Sequence, residues 1–226
     1  MQQQRNRKIR WAILGAGKIA HKFATDFKFV ENAELTAIAS RDKARAIMFA
    51  SQYAIPEIYS YDELYNASKV DAVYIATPHN FHFEQALKCL ENKKAVLCEK
   101  PVTINASQLK SLIEVARKNN VFLMEAMWTY FIPSIIQAKK WINQGKIGPV
   151  KIVQADFGYK MEFNPHSRLF DPSLAGGALL DLGVYPISFS QYIMEKMPET
   201  ILATSIFSKT NVDETTSILL KYKNAV

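Results

Sequence analysis

The stretch from Lys8 to Ala20, KIRWAILGAGKIA, constrains this chain more than any other, because it reads as a buried strand running into a glycine turn and straight on into a helix. In such a turn Gly15 supplies the sharp bend and Gly17 lets a phosphate approach the backbone. Ala20 stands where helix and strand must pack closely. Ala16, Lys18 and Ile19 complete the loop. The helix that starts near Lys18 turns free N–H groups and its positive dipole end toward whatever the loop holds. The same pattern also serves plain strand-to-helix geometry, so the rest of the chain must decide between a dinucleotide cradle and a simple turn.

Lys18 to Phe29 carries apolar Ile19, Phe23 and Phe27 at helical spacing, with Val30 just beyond, and Glu34 to Ala39 follows as a second strand. That strand ends at Ser40-Arg41-Asp42-Lys43-Ala44-Arg45. A carboxylate at this point would hold a ribose 2′-hydroxyl, whereas hydroxyls and cations suit a 2′-phosphate. With Ser40 and Arg41 at the strand end and Lys43 and Arg45 beyond, NADP is the expected cofactor ahead of NAD. The competing reading is a solvated helix start capped by Asp42.

Asp42 to Tyr53 reads as the next helix, Ile58-Tyr59 as a short strand, and Ser60 to Glu63 as a capping box. Ala72 to Ala76 is a buried strand by its unbroken small and apolar run, and Phe83 to Asn92 a helix. Between them lie Thr77, Pro78, His79, Asn80 and His82, at a carboxyl strand end where such sheets bind ligands. Asn80 either caps the helix or meets the cofactor, and His82 either packs on the first turn or does the same. Ala95 to Cys98 runs into Glu99-Lys100-Pro101. Lys100, held at a stop set by Pro101, is a candidate for proton transfer near a nicotinamide; the alternative is a surface Glu-Lys pair. A helix over 106–118 and a strand over 121–125 complete six strands interleaved with helices, a doubly wound domain ending near residue 126.

From Met127 the texture changes, to an aromatic segment from Trp128 to Pro133, a helix from Ser134 to Gln144 and an alternating strand from Val150 to Phe157. A glycine-led helix then begins at Gly176-Gly177. Within it the i, i+4 spacing places Asp181 and Tyr185 on one face, as site residues or as a salt-bridge residue and a core aromatic. Ile201 to Phe207 and Thr215 to Tyr222 read as two more strands.

The net charge of +7 invites a polyanion, but Lys88, Lys93, Lys110, Lys118, Lys139 and Lys151 are scattered, so no nucleic-acid partner is expected. Met1 to Arg10 has no apolar core of a signal, and no run approaches membrane-spanning length; a cytoplasmic protein without membrane contact is expected. Cys89 and Cys98 lack metal-ligand spacing and read as reduced packing residues, and no metal site is expected.

Gly15-x-Gly17-x-x-Ala20, Glu99-Lys100-Pro101, Glu125-Ala126-Met127-Trp128 and the segment from Gly176 to Pro186, in this order, resemble the Gfo/Idh/MocA oxidoreductases, most of all the branch of dimeric dihydrodiol dehydrogenase and glucose-fructose oxidoreductase. The resemblance implies a Rossmann domain over 1–126 and an α/β domain over 127–226 with an open, mostly antiparallel sheet that carries the substrate pocket and often a homodimer interface. It implies that Lys100 binds the reacting hydroxyl and moves its proton, with Tyr185 as partner and Asp181 orienting the pair. Glu99, Asn80, His82, Trp128 and Pro133 fall on the cofactor side. The implied reaction is NADP-dependent hydride transfer with a secondary alcohol of a sugar, cyclitol or vicinal diol. A dinucleotide-binding regulator without chemistry is the alternative, argued against by Lys100, Asp181 and Tyr185. Tyr130 departs from the arginine that relatives often carry there. Family members usually continue for on the order of a hundred residues beyond Val226, so the second domain is expected to be truncated.

Overall fold

The computed structural model describes residues 7–226; residues 1–6 of the basic leading segment lie outside the described residues. The chain divides into two compact units, one ending at Ala126 and the other spanning Met127–Val226.

The first unit alternates β1 (Ile9–Leu14), α1 (Lys18–Asp26), β2 (Ala33–Ala39), α2 (Lys43–Tyr53), β3 (Glu57–Tyr59), α3 (Tyr61–Asn66), β4 (Ala72–Ile75), α4 (His79–Glu91), β5 (Ala95–Cys98), α5 (Ala106–Asn119) and β6 (Leu123–Glu125). The strands form one parallel sheet in the order β3-β2-β1-β4-β5-β6. Its alternation buries both faces. Leu14, Val73, Ile75, Val96 and Cys98 pack against α4 and α5, while Ile13, Ile38 and Tyr74 pack against α1 and α2. Strand order reverses between β1 and β4, and the carboxyl ends at such a reversal are the place where sheets of this kind take ligands.

The amino ends of the same two strands are tied by charge. Asp71, just before β4, accepts from the Arg10 backbone N–H at 2.9 Å and from its guanidinium at 2.8 and 3.0 Å, and Arg7 adds a further bond at 3.0 Å. The Arg10 guanidinium holds the Asp71 carboxyl well below the usual carboxylate range. Cys89 and Cys98 are both free thiols within the core, and burial pushes the Cys89 thiol up to about 12.

One element starts earlier than its sequence suggests. α4 begins at His79 with Pro78 as its N-cap (φ −63°, ψ 153°), so Asn80 and His82 are helical and neither is the cap. A proline ends the strand and presets the entry to a helix, which accounts for the shift.

The second unit holds a 3-10 turn over Trp128–Phe131, α6 (Pro133–Asn143), a widened π turn over Leu179–Gly183, α7 (Val184–Met194) and an antiparallel pair, β7 (Thr200–Phe207) with β8 (Asp213–Lys221). Pro133 is the first residue of α6, where its missing N–H removes nothing. The helix expected from Gly176 onward widens into the π turn before it continues as α7, and Pro186, which donates no backbone N–H, follows that wide turn. Asp181 and Tyr185 straddle that junction, so simple α-helical spacing does not relate them. The alternating segment 150–157 is not a strand. Among the described residues it joins no ladder. Val153 N–H donates to the Val226 carbonyl and Val226 N–H to the Lys151 carbonyl, each at 3.0 Å. Alternation without a pairing partner leaves side chains in solvent, with Ile152 at 73% exposure. Among the described residues no helix is long and apolar enough to cross a membrane.

Because the folded Asp71 carboxyl titrates below its unfolded value of about 3.9, its stabilisation is complete above that pH and is lost as pH falls through the folded value. Asp71→Asn should lower stability at pH 7 by about 1–3 kcal/mol. Urea unfolding followed from pH 7 downward should show parent and variant converging below about pH 4; a constant gap at all pH values would remove Asp71 from the acid response.

Candidate active site

The glycine turn sits hard against the end of β4. Gly15 has φ +106°, and a Cβ there would stand 2.9 Å from the Ala76 carbonyl oxygen and 3.1 Å from Thr77 Cγ2. Only glycine allows both the angle and the approach. Gly17 caps α1 in an extended conformation without any side-chain hydrogen bond, and Ala16, Lys18 and Ile19 lie beside it, the last two exposed. The first-turn N–H groups of α1 are therefore uncapped by side chains. Close by in sequence to the β4 end, Asn80 Oδ1 is buried with no hydrogen-bond partner among the described residues. A cradle that a Cβ would fill, an uncapped helix start and an orphaned amide oxygen are features that a dinucleotide would fit.

At the end of β2, Asp42 is already committed. Its Oδ1 accepts the Arg45 N–H at 3.1 Å as the cap of α2, and Oδ2 pairs with Arg45 Nε at 3.4 Å. Ser40 Oγ accepts the Asp42 N–H at 3.2 Å. Arg41 is exposed, its guanidinium 5.1 Å above the Phe81 ring, and Lys43 is exposed at the start of α2. The helix-cap reading of Asp42 holds, with Ser40 half-buried and Arg41 exposed at the strand end.

The turn carrying Lys100 is held from several sides. Glu99 Oε1 accepts from the Tyr74 hydroxyl at 2.5 Å, and Glu99 Oε2 accepts the Lys100 N–H at 3.3 Å. Burial pushes the Glu99 carboxyl up, against these hydrogen bonds. Glu125, at the end of β6, accepts the Val102 N–H at 2.8 Å. His82 is fully buried; Nδ1 lies 2.7 Å from the Pro101 carbonyl and Nε2 2.7 Å from the Thr77 carbonyl. Desolvation lowers its basicity, with the Lys100 charge acting the same way. Both nitrogens face backbone carbonyls, so the ring lies between the loops after β4 and β5, and a neutral His82 donates to one of the two carbonyls at a time. Thr77 Oγ1 donates to Gln85 at 2.6 Å, which anchors the first of those loops to α4.

The second unit contains Trp128, Asp181 and Tyr185. Trp128 Nε1 donates to the Tyr185 hydroxyl at 3.2 Å, and Phe157 packs edge-on to Tyr185 at 5.4 Å. Tyr130 donates to the Ser188 carbonyl at 2.9 Å and stacks on Tyr192 at 4.7 Å. Asp181 is buried and accepts from Arg168 at 3.0 and 3.5 Å. Its turn is set by two glycines: a Cβ on Gly176 would stand 2.7 Å from the Leu169 carbonyl, and Gly177 (φ +117°) lies against the Asp213 carboxylate. Asp213 in turn accepts the Leu179 N–H at 2.6 Å.

Tyr74, Arg168, Asp213 and Phe157 escape a reading of the sequence. Tyr74 left one signal, since a phenol inside a wholly buried strand must find a partner. Arg168 sits in a loop and Asp213 at the first position of β8, with no periodicity to mark either.

The profile of a family described as an oxidoreductase family with an NAD-binding Rossmann fold, GFO/IDH/MocA, matches residues 9–127, and that of the GFO/IDH/MocA C-terminal domain matches 135–226. The trans-1,2-dihydrobenzene-1,2-diol dehydrogenase of Mus musculus is 40% identical over 222 residues, covering 96% of this chain, and that of Danio rerio is 39% identical over 218, covering 95%. The chain spans 66% and 65% of the length of these relatives. Among solved structures, an aldose-aldose oxidoreductase from Caulobacter crescentus complexed with glycerol superposes with TM-score 0.88 at 27% identity, over 97% of this chain and 69% of its own. A 3-ketoreductase from Actinomadura kijaniata in complex with TDP-benzene and NADP gives 0.84 at 27%, over 97% and 68%.

Replacing Gly177 by alanine should destabilise the second unit by about 1–3 kcal/mol, from the positive φ and the contact with Asp213. Urea or thermal unfolding checks this; an unchanged midpoint would mean that the Gly-Gly turn is not under conformational constraint.

Proposed function

Because the chain belongs to the GFO/IDH/MocA oxidoreductase family, we propose that it is an NADP-dependent dehydrogenase acting on a secondary alcohol or the matching ketone, in a cyclic vicinal diol, cyclitol or sugar. The observation that carries this reading is the fixed turn holding Lys100, one strand away from β4 and two from the glycine cradle on β1, along a single carboxyl edge. A bound dinucleotide supplies the hydride acceptor or donor at the nicotinamide. Residues 15–19 take its phosphates, and Ser40 and Arg41 its 2′-phosphate, since Asp42 is spent on the helix cap. Lys100 exchanges the proton of the reacting oxygen, and Glu99, Glu125 and His82 keep its turn in place. The family resemblance gives Tyr185 the role of hydroxyl partner and Asp181 that of the orienting acid.

The substrate class draws support from two sources. Relatives named as dihydrodiol dehydrogenases are 40% and 39% identical. Trp128 and Phe157, edge-on to Tyr185 at 6.4 and 5.4 Å, offer apolar surface to a ring and favour a cyclic diol over an open-chain polyol.

Fluorescence titration of the 226-residue chain should give NADPH at least about tenfold tighter than NADH, and Arg41→Ala should erase most of that preference; equal affinity of the parent for both would overturn the NADP assignment. Lys100→Met should lower turnover of the best diol by about 10²–10⁴-fold with NADPH affinity within about threefold of the parent. Undiminished turnover would remove Lys100 from the chemistry.

A further inference from the structure

We propose that Arg168 is a positioning residue for the reaction, setting the orientation of Asp181 through a two-pronged ion pair, an inference that rests on the dehydrogenase reading above. The pair is unlike a surface salt bridge. The Asp181 side chain is 7% exposed, whereas that of Arg168 is 49% exposed, so one partner is sunk in the fold and the other reaches in from the loop. Nη1 meets Oδ1 at 3.0 Å and Nη2 meets Oδ2 at 3.5 Å, the fork geometry that fixes a carboxylate in rotation as well as in position.

The loop that delivers Arg168 is itself built for this. Gly177 N–H donates to the Leu169 carbonyl at 2.9 Å and Gly176 N–H to the Asp171 carbonyl at 3.0 Å, so the backbone on either side of the loop is sewn to the start of the turn carrying Asp181. Gly176 permits the approach, because a Cβ there would meet the carbonyls of Leu169, Asp171 and Arg168 at 2.7, 2.9 and 3.0 Å. The Asp213 carboxylate closes the other side through the Leu179 N–H. Asp181 then sits in a π turn, a wider and rarer geometry than the α-helix that follows. A carboxylate held by a guanidinium, two glycine-dependent backbone contacts and a cap has its direction decided before any ligand arrives, and four residues on is Tyr185.

The test uses the full chain with NADPH and the best substrate of a diol and sugar panel. Arg168→Ala should lower kcat by about 10–100-fold, with KM for NADPH within about threefold, because a misplaced orienting group weakens the chemical step more than cofactor binding. Tens of millimolar guanidinium should restore part of kcat to Arg168→Ala and none to Asp181→Asn, a rescue that a merely structural role would not produce. Melting temperatures of Arg168→Ala, Asp181→Asn and the double variant should be non-additive, which tests the pairing without reference to activity. Unchanged kcat in an active parent, or no rescue, overturns the positioning role, and additive melting shifts overturn the pair. A parent that binds NADPH yet turns over no substrate overturns the dehydrogenase reading first, and Arg168 is then a structural residue only.

Discussion

The closeness of two backbones governs the first unit. The Gly15 turn leaves β1 and passes the end of β4 so tightly that the Ala76 carbonyl would touch any side chain placed there. This contact is possible because β1 and β4 are paired in register from Trp11 with Ala72 to Leu14 with Ile75, so that both strands stop at the same level. A sheet whose strands end together presents a common rim, and the loops that leave it are neighbours although they are far apart in sequence. Ser40 and Arg41, Thr77 to His82, and Glu99 to Val102 all leave that rim. Their side chains then fix one another, through Tyr74 with Glu99 and through His82 with the carbonyls of both adjacent loops.

A different device organises the second unit. Its paired sheet is only two strands wide, and large apolar side chains such as Ile201, Leu202 and Phe207 are more than half exposed. Local precision comes instead from polar ties around the Gly176-Gly177 turn. Asp213 holds the start of the π turn, Arg168 holds Asp181, and Lys139, itself buried, donates to the Ile193 carbonyl and pairs with Glu195 at 3.0 Å where α7 ends. Each tie satisfies a group that a helix end or a buried charge leaves needy, so satisfaction of polar atoms and placement of site residues are one requirement here.

The legible and illegible parts of the sequence divide along physical lines. The six parallel strands and their helices were readable because burial on both faces writes continuous apolar runs, and because Gly15, Asp42 and the Ser60 capping box punctuate them. Failures came where a periodic pattern had no partner to act on. Residues 150–157 alternate as a strand should, yet a strand exists only against another, and the segment meets Val226 at one point instead. The start of α4 carries no hydroxyl or amide signal in the sequence, because proline serves as its cap. Gly15 and Lys100 are legible in the sequence because each stands where a strand gives way to a turn, and the Gly176 to Pro186 segment because of its length. Their supports are not: Tyr74 and Arg168 act across 25 and 13 residues of chain, a reach that no local pattern encodes.

The Arg10–Asp71 clamp and the glycine turn lie at opposite ends of the same two strands. Holding the pair together is thereby assigned to one rim and meeting a ligand to the other, with the core layer of Ala12, Ile13, Val73 and Tyr74 between them. Substitutions can accumulate at the clamp end, raising or lowering tolerance to acid and heat, while the ligand-facing rim keeps its geometry. Durability and chemistry in this unit are separately adjustable, which gives a sheet of this kind room to change its working conditions without changing its work.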